Sequence, residues 1–293
     1  MEPITDLISD FHAGDLIQHT KFGLGKVLDV NLQHVLIHFR DDNQDVRKLA
    51  IGKAPITLPP VQSDPQLDSL PAFHDGKFEG KSKRIGIDDA ISEFLKQFPK
   101  GFEDPAYAEQ RALKWAAHEH FEAALGGGLA EELLAANEVA EITQQAVALL
   151  GPAKLLSKFE LIALRDGLGE APLAKRYFGA LLEFVKAPAD EQRFTQLTTA
   201  IGNLPATTPK ARVASWPVLT VLPFLARPDL FMFLRPEPTV GATLRLRFDL
   251  HYDPSLNWLT YHQLMTLSTL LLEKLHPHGA RDHIDVQSFL SAI

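Results

Sequence analysis

The hydrophobic pattern of this chain changes once along its length, and that change limits the folds available to it. In the first fifth of the chain, short β-branched runs alternate with turn formers, and no helical period is present. Beyond a Pro-rich segment the apolar residues recur at helical spacing. The sequence therefore predicts an α+β chain: a small β-barrel at 13–58, a Pro-rich linker at 59–84 and a mostly helical domain at 85–293.

The predicted barrel contains a tight bend marked by two glycines. Strands are predicted at Leu16–Ile17, Gly25–Val30 and Val35–Phe39, with a returning strand at Val46–Ile51. Gly23 and Gly25 flank the bend between the first two strands, where a positive φ or a close backbone approach excludes a Cβ. Phe22, at the same bend, is expected to plug one end of the barrel.

Residues 14–27 contain a sequence motif: Gly-Asp, an apolar pair, His, an aromatic residue, Gly-x-Gly and an apolar residue. Its members are Gly14, Asp15, His19, Phe22, Gly23, Gly25 and Val27. This motif resembles the N-terminal part of the SH3/Tudor-like barrel at the C-terminal end of UvrD-type helicases. It is also similar to the RNA-polymerase-interacting domain of CarD-type regulators and of the transcription-repair coupling factor. The resemblance covers residues 13–58 only.

The resemblance implies a barrel that docks on RNA polymerase, on a helicase or on nucleic acid, often through an exposed strand edge. We expect its binding surface at Lys21, Phe22, Lys26 and Arg40. Basic and acidic residues nearly balance within the barrel, and the whole chain carries a formal net charge of −8. Binders that act mainly by neutralising phosphates concentrate Lys and Arg on one face. The charge pattern therefore favours a protein partner over nucleic acid.

The composition excludes several kinds of site and indicates where in the cell the protein is expected. The chain contains no cysteine, which excludes disulfides, thiolate metal sites and cysteine nucleophiles. Its first residues lack the basic start and apolar run of a signal peptide, so we expect a cytoplasmic protein. The resemblance of the barrel implies a bacterial one. The most apolar stretch, 218–234, is broken by Pro and charged residues, so no membrane partner is expected.

Helix boundaries are marked in the second part of the chain. Asp104 followed by Pro105 predicts a helix start, and Ser157 with Glu160 forms a capping box. A second capping box is predicted at Thr260, before a helix that runs through Leu275. The region 215–252 is open to two interpretations, because its apolar residues fit both short strands, expected near 218–252, and one helical face.

No motif specifies a reaction. The chain has no phosphate loop, dinucleotide-binding glycine fingerprint or nucleophile elbow. Histidines and acids gather at His276, His278, Asp282, His283 and Asp285, but their spacing fits no zinc pattern. We expect this group to be structural, with Asp285 as a helix N-cap, and we expect no metal and no cofactor.

One pair does resemble a catalytic motif. Arg111 and His118 have the spacing of the Arg-to-His motif of helical HEPN-type ribonucleases, although residue 112 is Ala where that family has a polar residue. Trp115, Trp216 and Trp258 are expected to pack in the core.

The sequence thus favours a non-catalytic adaptor that docks through its barrel on transcription or DNA-repair machinery, with RNA polymerase or a helicase as the partner. Two alternatives stay open. One is a scaffold subunit of a multi-protein complex, such as a defence system. The other is a metal-independent ribonuclease that uses Arg111 and His118.

Overall fold

A computed structural model of the chain describes residues 11–30, 34–42, 44, 46–50, 55–57, 59, 61, 63–64, 67, 70, 73–74, 76–78, 85–206, 213–246 and 248–293. Within these residues the protein is α+β, as predicted: a curled antiparallel sheet of five strands, a half-barrel, is followed by helices. The half-barrel and the helical region have separate hydrophobic cores.

The half-barrel has the strand order β4-β3-β2-β1-β5. Its strands are β1 Leu16–His19, β2 Gly23–Val30, β3 His34–Phe39, β4 Arg47–Ala50 and β5 Ile56–Thr57. A separate two-stranded sheet is formed by β6 Phe73–His74 and β7 Lys77–Phe78. Alternate residues of β3, namely Val35, Ile37 and Phe39, are fully buried, which is the period-2 pattern of a strand with one face on a core.

The two predicted bend glycines have different structural roles. Gly23 has a φ of +79°, a conformation that L side chains rarely adopt. Gly25 lies opposite Phe39 in the β2–β3 pair, and a Cβ on Gly25 would lie 2.5 Å from Phe39 Cδ1. One glycine is therefore needed for backbone conformation and the other for close packing.

The described residues of the helical region form eleven α-helices. They are α1 Ile87–Gln97, α2 Pro105–Leu125, α3 Leu129–Ala135, α4 Val139–Ala153, α5 Lys158–Gly167, α6 Ala171–Val185, α7 Glu191–Gly202, α8 Trp216–Ala226, α9 Pro236–Arg245, α10 Trp258–Leu275 and α11 His283–Ala292. Short 3-10 helices lie at Gly101–Glu103 and His276–His278. No helix among the described residues is both long and apolar enough to span a bilayer.

Four caps are predicted, at Asp104, Ser157, Thr260 and Asp285, and the first two are confirmed. The Asp104 side chain accepts from the backbone N–H of Ala106 at the start of α2, and Ser157 and Glu160 form the complete capping box of α5. The third prediction is wrong, because Asn257 rather than Thr260 caps α10. The Asn257 side chain accepts from the backbone N–H of Thr260 at 2.8 Å.

The short strands expected near 218–252 are not present among the described residues of that region. All eleven residues of α8 are buried, so this helix has no polar face and shows no helical period in the sequence. The run Phe231–Leu234 after it is buried and is neither helix nor strand. A side chain satisfies one of its backbone groups, because the Thr220 hydroxyl accepts from the Leu234 N–H at 3.0 Å.

The segment predicted as a linker contacts the half-barrel at several of its described residues. Leu67 is fully buried against Leu16 and Leu24, and Asp64 accepts a hydrogen bond from Arg40 at 2.9 Å. The ring of Phe78 lies edge-on to that of His38 at 5.5 Å. These contacts hold parts of the 59–84 segment on the sheet.

We expect Gly25→Ala to destabilise the half-barrel by about 1–3 kcal/mol, because its methyl group overlaps Phe39 and Ile37. Hydrogen exchange of the β2 and β3 amides measures this loss separately from the helices. Gly179→Ala in α6 is the control, since a Cβ there meets nothing within 4 Å. This change should raise helix stability by roughly 0.5–1 kcal/mol. Equal protection of β2 in parent and Gly25→Ala would contradict the packing argument.

Candidate docking surface on the half-barrel

The β1–β2 turn presents an aromatic ring beside two cations. Phe22 is partly buried, and its ring centroid lies 4.1 Å from the Arg47 guanidinium carbon and 5.4 Å from Lys21 Nζ. The His19 ring stacks on Phe22 with centroids 4.7 Å apart. A ring that faces cations in this way is stabilised by cation–π attraction. Phe22 therefore both covers the end of the core, as expected, and contributes to the surface.

His19 organises this turn without adding charge to it. Its Nδ1 accepts hydrogen bonds from the backbone N–H groups of Lys21 at 3.1 Å and Phe22 at 3.3 Å, so its proton lies on Nε2. Burial, together with Lys21 and Arg47, lowers the pKa of His19 below its ordinary value. A neutral imidazole is therefore favoured at neutral pH, and Lys21 and Arg47 supply the positive charge.

The four binding residues predicted from the sequence differ in their exposure and in their partners. Lys21 is exposed and Phe22 is half-buried, and both lie at the turn. Arg40 is at the surface but donates to two carboxylates, Asp41 and Asp64. The expectation that Lys26 is a surface residue is wrong. Its side chain is fully buried, where its Nζ donates to the Leu67 carbonyl at 2.9 Å.

An open strand edge lies next to this turn. Among the described residues, β4 pairs with β3 alone, and its outer side has no strand partner. Lys48 and Ala50 of β4 are exposed, and Arg47 is partly buried under Phe22. An edge of this kind offers backbone N–H and C=O groups to an added strand.

Sequence reasoning missed Arg47 as part of this surface. Arg47 lies on the fourth strand, far along the chain from Phe22, and only the curl of the sheet brings the two side chains together. Its guanidinium also pairs with Asp42, so the positive charge at this end is partly balanced.

A second polar cluster lies between α2 and α11, and it includes residues that the sequence singled out. Arg111 Nη1 donates to Asp282 Oδ1 at 2.8 Å and to Asp285 Oδ1 at 2.7 Å, and its Nη2 donates to Asp282 Oδ2. The Tyr107 hydroxyl donates to Asp285, and the Arg281 backbone N–H donates to Asp285 Oδ2 at 2.7 Å. These contacts join the first long helix of the domain to α11.

The predicted cap of α11 is wrong by one turn. Asp282, rather than Asp285, is the N-cap, and its side chain accepts from the backbone N–H of Ile284 at 2.9 Å. Asp285 lies inside the helix and is fully buried. It receives the Arg111 and Tyr107 donors there, which explains why a carboxylate is tolerated at that depth.

Lys114 extends the cluster along α2. Its Nζ donates to Gln287 Oε1 and, at 2.7 Å, to Ser288 Oγ. Burial lowers the pKa of Lys114 to about 8. The Ser288 hydroxyl donates its proton to the Ile284 carbonyl at 2.8 Å. Ser288 is thus held in a helix-internal hydrogen bond and is not aligned to transfer its proton to Lys114, so this contact stabilises the helix pair rather than activating a nucleophile.

The Arg111 and His118 pair does not form an exposed catalytic arrangement. Arg111 is buried with its donors engaged by two aspartates, and His118 Nδ1 bonds to the Leu225 carbonyl at 2.7 Å. The Trp115 ring contacts both side chains, with its centroid 5.0 Å from the Arg111 guanidinium carbon and 4.8 Å from the His118 ring. Both side chains are used for packing α2 against its neighbours.

The histidines near the end of the chain do not converge. His276 and His278 lie in a 3-10 helix, while the His283 side chain is buried at the start of α11 and the His283 backbone N–H donates to the Pro228 carbonyl at 2.9 Å. No group of three or more His, Asp or Glu side chains among the described residues is placed to hold a metal ion.

The three tryptophans differ in how deeply they are buried. Trp216 is buried, as expected, and its Nε1 donates to the Asp253 carbonyl at 2.8 Å. Trp258 is partly buried and packs against the helical core. Trp115 was expected in the core, but 37% of it is exposed and its Nε1 donates to Glu119.

Comparison with protein-family models, with curated proteins and with solved structures finds no match for this chain. The resemblance of residues 13–58 to UvrD-type and CarD-type barrels stays a prediction from the sequence.

We expect Arg111→Ala to lower the free energy of unfolding by roughly 3–5 kcal/mol, because it leaves two buried carboxylates without their main partner. Arg111→Lys keeps the positive charge and should lower the free energy of unfolding by a smaller amount. Arg165→Ala is the control, since the Arg165–Asp166 pair is exposed, and should cost about 0–1 kcal/mol. Urea unfolding followed by tryptophan fluorescence compares the variants. Similar stability of Arg111→Ala and Arg165→Ala would show that the cluster is not a structural clamp.

Proposed function

We propose that this protein is a non-catalytic adaptor that docks a protein partner on the β1–β2 turn and the open β4 edge of its half-barrel. The observation that carries this proposal is the position of Phe22, half-exposed between Lys21 and Arg47, beside a strand edge that has no partner among the described residues. Aromatic and Arg side chains are enriched among residues that dominate binding energy, and a free edge can align an extended segment of the partner.

The charges around the surface favour protein over nucleic acid. Arg40 donates to Asp41 and Asp64, and Arg47 pairs with Asp42, so much of the local positive charge is already balanced by carboxylates. Phosphate binding draws its affinity from cations that release counterions, and balanced cations contribute little to it.

The class of binding partner is inferred from the resemblance of the Gly14–Val27 motif to SH3/Tudor-like barrels of UvrD-type helicases and CarD-type regulators. It favours RNA polymerase or a helicase, and so a cytoplasmic location in transcription or DNA repair. A scaffold subunit of another complex would use the same surface and differ only in its partner. The ribonuclease alternative is not supported, because Arg111 is engaged by Asp282 and Asp285.

The proposal is tested by binding of the full chain to purified bacterial RNA polymerase, to a UvrD-type helicase and to single- and double-stranded DNA. We expect one of the two proteins to bind, and Lys21→Glu to weaken that binding by roughly tenfold because it reverses an exposed charge beside Phe22. Phe22→Leu should weaken it too while keeping an apolar side chain on the core. Interferometry gives the dissociation constants.

Lys96→Glu is the matched control, since Lys96 is an exposed lysine of α1, away from the half-barrel. It should leave binding unchanged. The proposal is wrong if neither protein binds, if DNA alone binds, or if Lys96→Glu weakens binding as much as Lys21→Glu.

A further inference from the structure

The half-barrel is seated on the helical region through a cluster of ionisable side chains. Two come from the half-barrel, Asp15 just before β1 and Lys26 in β2. Three come from the helical region, Glu160 in α5, Arg235 at the N-cap of α9 and Glu237 in its first turn. We call these five residues the interface cluster.

Two ion pairs cross this interface, and the half-barrel supplies the acid in one and the base in the other. Arg235 Nη2 donates to Asp15 Oδ1 at 2.9 Å, and Lys26 Nζ lies 3.5 Å from Glu237 Oε1. Arg235 also donates to the Leu155 carbonyl at 3.0 Å, which fixes its guanidinium against the helical side. The half-barrel thus supplies one acid and one base, and α9 supplies the complementary base and acid.

The surfaces around these pairs fit closely. A Cβ on Gly14 would lie 2.2 Å from Glu237 Oε2 and would displace this carboxylate, and the φ of +99° at Gly14 is one that L side chains rarely adopt. At the other side of the contact the Phe11 and Phe159 rings lie 5.9 Å apart. Asp15 is nearly buried and Lys26 fully so, which means that seating the half-barrel removes these charges from water.

The interface cluster has one more acid than base. Glu160 accepts from the Ser157 backbone N–H at 2.8 Å and faces Arg235 and Asp15, but it has no cation of its own among the described residues. With all five groups ionised, the interface cluster itself holds three carboxylates, Asp15, Glu160 and Glu237, and two cations, Lys26 and Arg235. Among the described residues, His12 also lies at this contact, with its Nδ1 3.8 Å from Asp15.

We propose that this interface is a pH-sensitive latch: seating the half-barrel on α5 and α9 takes up a proton, and rising pH releases it as a folded unit. The excess carboxylate is neutral when the latch is closed and ionised when the groups return to water.

The direction of the effect follows from linkage. Burial raises the pKa of Glu160 and of Glu237 above the ordinary value, and Asp15 adds to the rise. Arg235 opposes the rise at Glu160, and Lys26 and then Arg235 oppose it at Glu237. The seated state therefore binds a proton more tightly than the released state. Seating is favoured below the raised pKa and loses this advantage as pH rises through it. For one proton, the ratio of seated to released molecules changes by at most about tenfold per pH unit.

The test measures the distance between the half-barrel and the helices in the full chain. The chain has no cysteine, so exposed Lys48 in β4 and exposed Lys96 in α1 can be changed to Cys as the only two labelling sites. Spin labels on both give a distance distribution by pulsed electron resonance at about pH 5.5 and about pH 8.5. We expect a narrow distribution at the lower pH and a broad one at the higher pH, with unchanged helical circular dichroism.

Two variants separate the latch from general instability. Glu237→Gln and Glu160→Gln each remove the excess negative charge, and Gln can still accept the same hydrogen bonds. Both should keep a narrow distribution at the higher pH. Glu183→Gln, at an exposed position in α6, is the control and should broaden like the parent.

Three outcomes of the distance measurement would overturn the latch. They are a parent distribution that does not change with pH, a parent that broadens as pH falls, and Glu237→Gln and Glu160→Gln variants that broaden like the parent. Loss of helical circular dichroism together with the broadening would show global unfolding instead of release, and would also reject it.

Discussion

The buried ammonium of Lys26 is the point at which the three parts of the chain meet. It belongs to β2, donates to the Leu67 carbonyl of the 59–84 segment and pairs with Glu237 of α9. Removing an ammonium from water costs several kcal/mol unless partners surround it. The half-barrel can therefore hold Lys26 in this position only when the connecting segment and the helices are in place. This dependence couples regions whose sequence patterns are otherwise independent.

The α2–α11 cluster shows how residues of catalytic type can serve a structural purpose. Arg, Lys, Tyr, Ser and two Asp side chains lie within hydrogen-bonding distance of one another, as they do in many active sites. Their donors and acceptors are engaged mainly with each other or with helix backbone, and Asp285 at the centre is fully buried. Such a satisfied network selects one arrangement of two helices, because any other arrangement leaves buried charges unpaired.

The half-barrel has the opposite character at its β1–β2 turn. There the ring of Phe22 is only half-covered, its neighbouring cations reach solvent, and the outer edge of β4 pairs with no strand in the described part of the chain. These features cost stability when left open, and proteins keep them where a partner covers them. The same module thus has one closed face, which is seated on the helices, and one open face, from which the adaptor role is inferred.

The sequence by itself determined the features that depend on neighbours along the chain. The caps at Asp104 and Ser157 and the glycines at the β1–β2 bend could be identified because a cap or a tight turn is set within a few residues. The α+β division followed from hydrophobic period. Only the tertiary structure decided that α8 is a helix, that Lys26 is buried and that Arg111 is paired with Asp282. In α8 every side is covered, so no polar face marks its period. For Lys26 and Arg111, the partners lie on distant elements, and the burial of a charge depends on which elements the fold brings to it.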